Sequence, residues 1–183
     1  MLFRSDSTPE RPVWTTSSLS RSSWFDSSIF GKPHATEYDS SATSDSTVGN
    51  TDGVTTYYEH ETGTNQIKAG ATSAIAANIQ SGDFDLDQKG LAGDGEYMMK
   101  IRRVIPDFLT QTGDARVTLN LKNYPTDSQA SSSLGPFTTT TTTTKIDTRA
   151  RARAIALKVD NTSTTQHWKL GTFRLDIQPD GRR

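Results

Sequence analysis

Apolar and polar positions alternate most cleanly over residues 115–124. Val117, Leu119 and Leu121 share one parity there, and Arg116, Thr118, Asn120 and Lys122 share the other. A period of two is the signature of a strand with one buried face and one wet face. The same alternation returns near the C-terminus, where Phe173, Leu175 and Ile177 interleave with Arg174, Asp176 and Gln178, and Pro179-Asp-Gly predicts the turn that stops the strand. Clusters of β-branched and aromatic residues predict further strands over 54–61, ending at Gly63, and over 97–105, ending at Pro106. Residues 74–83 are Ala-rich enough for a short helix, but their flanking turns and small size favour a strand. After Pro125 a Ser-rich turn leads to Phe137 and seven consecutive threonines, 138–144, whose stiff side chains predict an extended edge strand or arm.

The segment 148–160 organises the rest. As a strand it puts Ala150, Ala152, Ala154 and Ala156 on one face and Arg149, Arg151 and Arg153 on the other; the arginine face then runs, without changing phase, into Ile155, Leu157 and Val159. The pattern predicts a strand with one end in a core and the other in water or against a partner. The polar loop 161–166 joins it to the strand after Trp168 as a C-terminal hairpin. Residues 1–53, with Trp14, Trp24, Phe25 and Phe30 scattered in polar sequence, read as an irregular N-terminal arm with short strands, of which 31–53 is a long exposed connection. Residues 54–183 then form the main domain. The predicted fold class is all-β, an antiparallel β-sandwich-like domain behind that arm.

Composition narrows the function classes. Apolar residues make up only 32% of the 183, which suits thin sheets whose faces meet solvent or neighbouring chains better than it suits a deep enzyme core. The absence of cysteine excludes disulfides and thiolate metal sites. The N-terminus has no apolar signal core and no stretch is long enough to span a membrane, so a soluble chain without classical export is expected. Residues 1–144 hold 11 Lys and Arg against 17 Asp and Glu, a net −6, whereas 145–183 hold 9 against 4, a net +5. An acidic body and a basic tail can attract each other within a chain or between copies.

Candidate chemistry is sparse. Asp83, Asp85, Asp87 and Asp94 have the spacing of a calcium loop, but Gln88 stands where its sharp turn needs glycine, and Phe84 and Leu86 alternate with the acids as in a strand. His34, His60 and His167 accompany no nucleophile motif, phosphate loop or paired-histidine motif. No catalytic residue, metal site or cofactor is therefore expected. Asn161-Thr-Ser163 fits a glycosylation sequon but reads most simply as a polar turn. The arginine row has three readings: a solvated face, ion pairs across strands or subunits, or a grip on phosphates. Without an interleaved aromatic platform, specific nucleic-acid binding ranks last.

Five segments in order, Ser81-Gly-Asp-Phe-Asp-Leu86, Arg103-Val-Ile-Pro-Asp-Phe108, Leu119-Asn-Leu-Lys-Asn-Tyr-Pro125, Thr148-Arg-Ala-Arg-Ala-Arg153 and Trp168-Lys-Leu-Gly-Thr-Phe-Arg-Leu-Asp-Ile-Gln-Pro-Asp-Gly-Arg-Arg183, resemble the C-terminal part of the tail nozzle proteins, or tail tubular protein B, of short-tailed bacteriophages, the marine and cyanobacterial type above all. The region of Trp14 and Trp24 resembles the end of the preceding propeller-like part. The resemblance implies a virion protein, made in the host cytoplasm. It implies a homo-oligomer, a hexameric ring that contacts adaptor, nozzle or fibre proteins. Double-stranded DNA would pass through transiently, and there would be no catalytic centre. The chain departs from the family in length, since nozzle proteins are several times longer.

The expected function is thus structural: part of an oligomeric tail channel for genome ejection. Its candidate interface is Arg149, Arg151, Arg153, Arg174, Arg182 and Arg183, placed at subunit contacts because a uniformly basic channel wall would hold DNA. The rivals are a virion receptor- or carbohydrate-binding module that stacks ligands on Trp14, Trp24, Tyr57 and Tyr58, and a small envelope hydrolase.

Overall fold

The computed structural model describes residues 2–5, 13–16, 20–40, 53–68, 70–86, 97–124, 126–127 and 130–182. Among the described residues there is no helix, and every strand pairing is antiparallel. The all-β expectation holds. The chain divides into two units, Met1–Gly63 and Thr64–Arg183.

In the first unit β1 (Leu2–Ser5) pairs with β2 (Val13–Thr16). Strands β3 (Ser23–Phe25), β4 (His34–Asp39) and β5 (Val54–Glu59) form a second sheet in that order, burying Ala35 and Tyr58. The expected exposed connection over 31–53 is therefore interrupted by β4, whose first residues His34 and Ala35 are both buried; 41–52 lie outside the described residues. The expected boundary after residue 53 moves to Gly63, because β5 pairs with β4 along its whole length.

The second unit begins with the exposed hairpin β6 (Asn65–Lys68) and β7 (Ala71–Ala74), then the short strands β8 (Asn78–Gln80) and β9 (Phe84–Asp85). The expected strand over 74–83 is thus split between the end of β7 and β8. Next come β10 (Tyr97–Ile105), β11 (Phe108–Thr112), β12 (Ala115–Lys122), β13 (Ser132–Thr139), β14 (Ile146–Ala152), β15 (Ala154–Asp160), β16 (His167–Leu170) and β17 (Arg174–Arg182).

Two sheets share one core. The first has the order β14-β10-β17; the second has the order β13-β12-β15-β8, with β9 also on β15. Between them lie Met99, Ile101 and Val104 of β10, Ile146, Ala150 and Ala152 of β14, Ala115, Val117 and Leu119 of β12, and Ile155, Leu157 and Val159 of β15. The pair β11-β16 adds Phe108 and Trp168, edge to face at 6.4 Å, against this cluster. The alternation read over 115–124 is the pattern found in β12, with Ala115, Val117 and Leu119 fully buried.

Segment 148–160 is not one strand. It bends at Arg153, and the buried parity changes from even (Ile146, Ala150, Ala152) to odd (Ile155, Leu157, Val159) as the chain leaves the first sheet for the second. A straight continuation would have carried three large apolar side chains out on the arginine side. Burying each is worth about 1.5–3 kcal/mol, more than the ~1 kcal/mol of a backbone hydrogen bond disturbed by the bend. Even that bond is replaced, since the Arg153 N–H donates to Lys122 O at 3.0 Å.

The expected C-terminal hairpin is also replaced. β10 lies between β14 and β17, so β17 finds its partner in β10 rather than in the strand just before it. Pro179 does not end β17, which runs on to Arg182 opposite Tyr97; β17 is an edge strand, where a residue lacking N–H costs no ladder bond on its open side. The threonine run ends its strand at Thr139. Beyond it Thr140 N donates to Thr143 Oγ1 (2.9 Å) and Thr143 N to Thr140 O (3.1 Å), closing a turn.

Candidate functional site

The outer face of the β14-β10-β17 sheet carries several charges of the basic tail, Arg149, Arg151 and Arg174 among them. Because alternate residues of β14 are buried, Asp147, Arg149 and Arg151 point away from the core. Register aligns Arg151 with Lys100 and Gln178, and Arg103 with Asp147 on one side and Asp176 on the other. A register shift between Ile101 and Arg103 in both pairings places two consecutive residues, Arg102 and Arg103, between the inward-facing Ile101 and Val104.

Most of these cations are already held. Arg103 Nε donates to Asp147 Oδ1 at 3.2 Å, and Lys145 Nζ lies 3.2 Å from Asp147 Oδ2. Hydrogen bonds from Lys145 and then Arg103 keep the Asp147 carboxyl below the usual carboxylate range. Arg151 is bonded to the Asp180 carboxylate, and Arg174 stands 3.9 Å from Asp107. Arg102 and Arg149 differ: both are exposed, and neither has an ion-pair or hydrogen-bond partner among the described residues.

The expected row of three arginines is therefore not a row. Arg149 is open, Arg151 is engaged within the chain, and Arg153 sits half-buried at the bend between sheets. Arg182 is placed by its backbone in β17, and Arg183 lies outside the described residues. Arg102, which sequence reasoning passed over, joins Arg149 on the same outer face. The only signal for it was the charged pair Arg102-Arg103 inside an otherwise apolar strand.

The other candidates resolve differently. Asp83 bonds Lys122 and Asp85 lies opposite Ala154 in β9, while Asp87 and Asp94 lie outside the described residues; among the described residues no cluster of acids or histidines has the arrangement of a metal site. Asn161 of the sequon is buried and fully used: it bonds Ile75 O (3.0 Å), Ala77 N (3.3 Å), Ala77 O (3.0 Å) and the Trp168 indole N–H (3.0 Å). On the second sheet's outer side, Asp160 is also buried. Burial pushes its carboxyl up, but Arg116 (2.6 Å) and Lys158 (3.1 Å) outweigh that and hold it below the usual range.

The four aromatics suggested for stacking ligands do not form one surface. Trp24 packs against His60 with ring centres 4.4 Å apart, and Tyr58 is buried beneath the Arg21 guanidinium. Tyr57 projects from the opposite face of β5, where it stacks on His34 beside Phe25 and Phe30; Trp14 is described only by its backbone in β2. Among the described residues no helix is long and apolar enough to cross a membrane. Compared with known proteins, the chain matches no protein-family model and no curated protein.

Proposed function

We propose that the chain is a structural component of a bacteriophage tail, a nozzle-like part of an oligomeric channel, which assembles with copies of itself and with adjoining tail proteins. The observation that carries the assembly role is the pair Arg102 and Arg149. They are two exposed guanidinium groups on a sheet where Arg103, Arg151 and Arg174 are already matched to aspartates of the same chain. A guanidinium left open on an ordered strand suits bidentate capture of a carboxylate from outside. The acidic excess of residues 1–144 supplies such groups on a second copy. The tail assignment itself is supported by the five ordered segments that resemble nozzle proteins, all of which fall in the second unit. The resemblance implies six copies in a ring and DNA passing without being held.

Sedimentation velocity of the wild type, the double variant R102A/R149A and R151A tests the assembly role. The wild type is expected to associate, R151A to do so equally, and the double variant to need at least about tenfold higher concentration, one decade per ~1.4 kcal/mol lost. Equal association by all three chains overturns it. A second reading, a receptor- or carbohydrate-binding module, is supported by the exposed rings of Phe25, Phe30 and Tyr57. Binding of the intact chain to host surface glycans, lost in Y57A, would favour it.

A further inference from the structure

On the opposite face of β4 and β5 from the exposed rings, one cation is enclosed. The Arg21 side chain is only 5% exposed. Its guanidinium lies 4.0 Å from the centre of the Tyr58 ring, Nη1 donates to Glu37 Oε2 at 3.2 Å and to Ser20 O at 2.7 Å, and the Tyr58 hydroxyl donates to the same Glu37 oxygen at 2.8 Å. Its Nε donates to His60 Nε2 at 3.3 Å. That last bond requires a lone pair on Nε2, so it exists only while His60 is neutral. His60 in turn covers Trp24, ring centres 4.4 Å apart, and its backbone N–H donates to Pro33 O at 2.8 Å.

We propose that Arg21 and His60 form an acid-released clasp: protonation of His60 removes the acceptor, sets two cations against each other, and frees the strand entry at 20–22 together with the aromatic face of Trp24 and Tyr58. Besides the Arg21 contacts to Glu37 and Tyr58, the entry is tied to the sheet by Ser22 N to Thr36 O (2.8 Å), Tyr38 N to Ser22 Oγ (3.0 Å) and the hydrogen bond between Ser23 Oγ and Thr36 Oγ1 (2.7 Å). The charged and titratable groups around His60 are Arg21 ahead of β3, His34 on β4, Tyr58 on β5 and the adjacent Glu61, with Glu37 reaching it through Arg21. Glu61 alone favours the charged imidazole.

Burial first, and then Arg21, push the imidazole below its ordinary value. For a histidine whose folded pKa is depressed, the stabilisation is fully present above the unfolded value, about 6.5, and disappears as pH falls through the folded value. Acid is thus the releasing condition.

The test is hydrogen exchange on the full chain, reading protection factors of the Ser22 and Tyr38 amides, corrected for intrinsic rates, between pH 7.5 and 4.5. Wild type should lose protection on acidification, by about tenfold for each unit by which the His60 pKa is depressed. H60Q keeps an acceptor oxygen but cannot titrate, so its protection should stay flat, whereas H34Q should follow the wild type. A flat wild-type profile, or a wild-type profile in H60Q, overturns the clasp. Should H60Q not fold, R21Q decides: the His60 ring protons, followed by NMR, must then titrate at a higher pH than in the wild type, and an unmoved titration overturns the proposal.

Discussion

Arg151 reaches across β10 to Asp180: its Nε donates to the carboxylate and its Nη2 to the Asp180 backbone oxygen at 3.2 Å, so the two edge strands of the three-stranded sheet are joined over the strand that separates them. Both side chains are close to half exposed, which limits the contribution of the pair to about 0–1 kcal/mol. R151A should lower stability by no more than that in urea unfolding, and the loss should shrink in high salt. A larger loss would mean that Arg151 packs the sheet through its methylenes rather than through its charge.

Asp160 gives the second unit an acid limit. Its carboxyl is held below the ordinary value by Arg116 and Lys158 despite burial. The stabilisation is therefore present above the unfolded value of about 3.9 and is lost as pH falls through the folded value. Thermal unfolding of D160N should show a weaker decline below pH 4 than the wild type. R116A, which removes the nearer partner from a buried carboxylate, should cost about 1–3 kcal/mol at pH 7.

Asn161→Ala should loosen the second sheet at one edge. Four hydrogen bonds from one side chain and its backbone hold 75–77 and the Trp168 indole, and β8 follows directly. Removal of the amide leaves Ile75 O, Ala77 N and the indole N–H to find new partners, at a cost of about 2–3 kcal/mol. Faster amide exchange in β8 with β12 unchanged is the expected signature; a uniform change across the sheet would contradict it.

Gly171→Ala tests a close approach. A Cβ at this position would stand 2.8 Å from the Asp107 carbonyl oxygen, the same oxygen that accepts from the Gly171 N–H at 2.8 Å. The clash is with backbone, so the entry to β11 must shift, and about 1–3 kcal/mol should be lost. Denaturant midpoints with an unchanged slope would report it.

What could be read along the chain was whatever depended on neighbours in sequence. Period-two runs identified β12 and β17 because Val117, Leu119, Leu175 and Ile177 repeat within a few residues, and β10 was marked by its β-favouring residues and its stop at Pro106. Partners were not legible: the row Gln178, Lys100, Arg151 is set by contacts between distant segments, and nothing near Lys100 specifies it. The shared parity of Arg149, Arg151, Ile155 and Leu157 reads as one strand with a wet end and a buried end, and the bend at Arg153 that separates the two sets depends on the two sheets it joins. The threonine run carried no stop signal of its own, and β13 ends inside it, where the buried Thr139 hydroxyl donates to Ala115 O at 2.9 Å. Arg102 escaped notice because only a bulge, a two-strand property, turns it outward beside Arg103.

The order β14-β10-β17 has a consequence for how the protein is made. β10 is synthesised long before either strand that flanks it, so while the ribosome is still translating, a nine-residue strand carrying Met99, Ile101 and Val104 waits with both edges open. Native pairing on its second side begins only as Arg174 and its successors emerge. Charged side chains on an open strand disfavour edge-to-edge pairing, and this strand carries three of them, Lys100, Arg102 and Arg103.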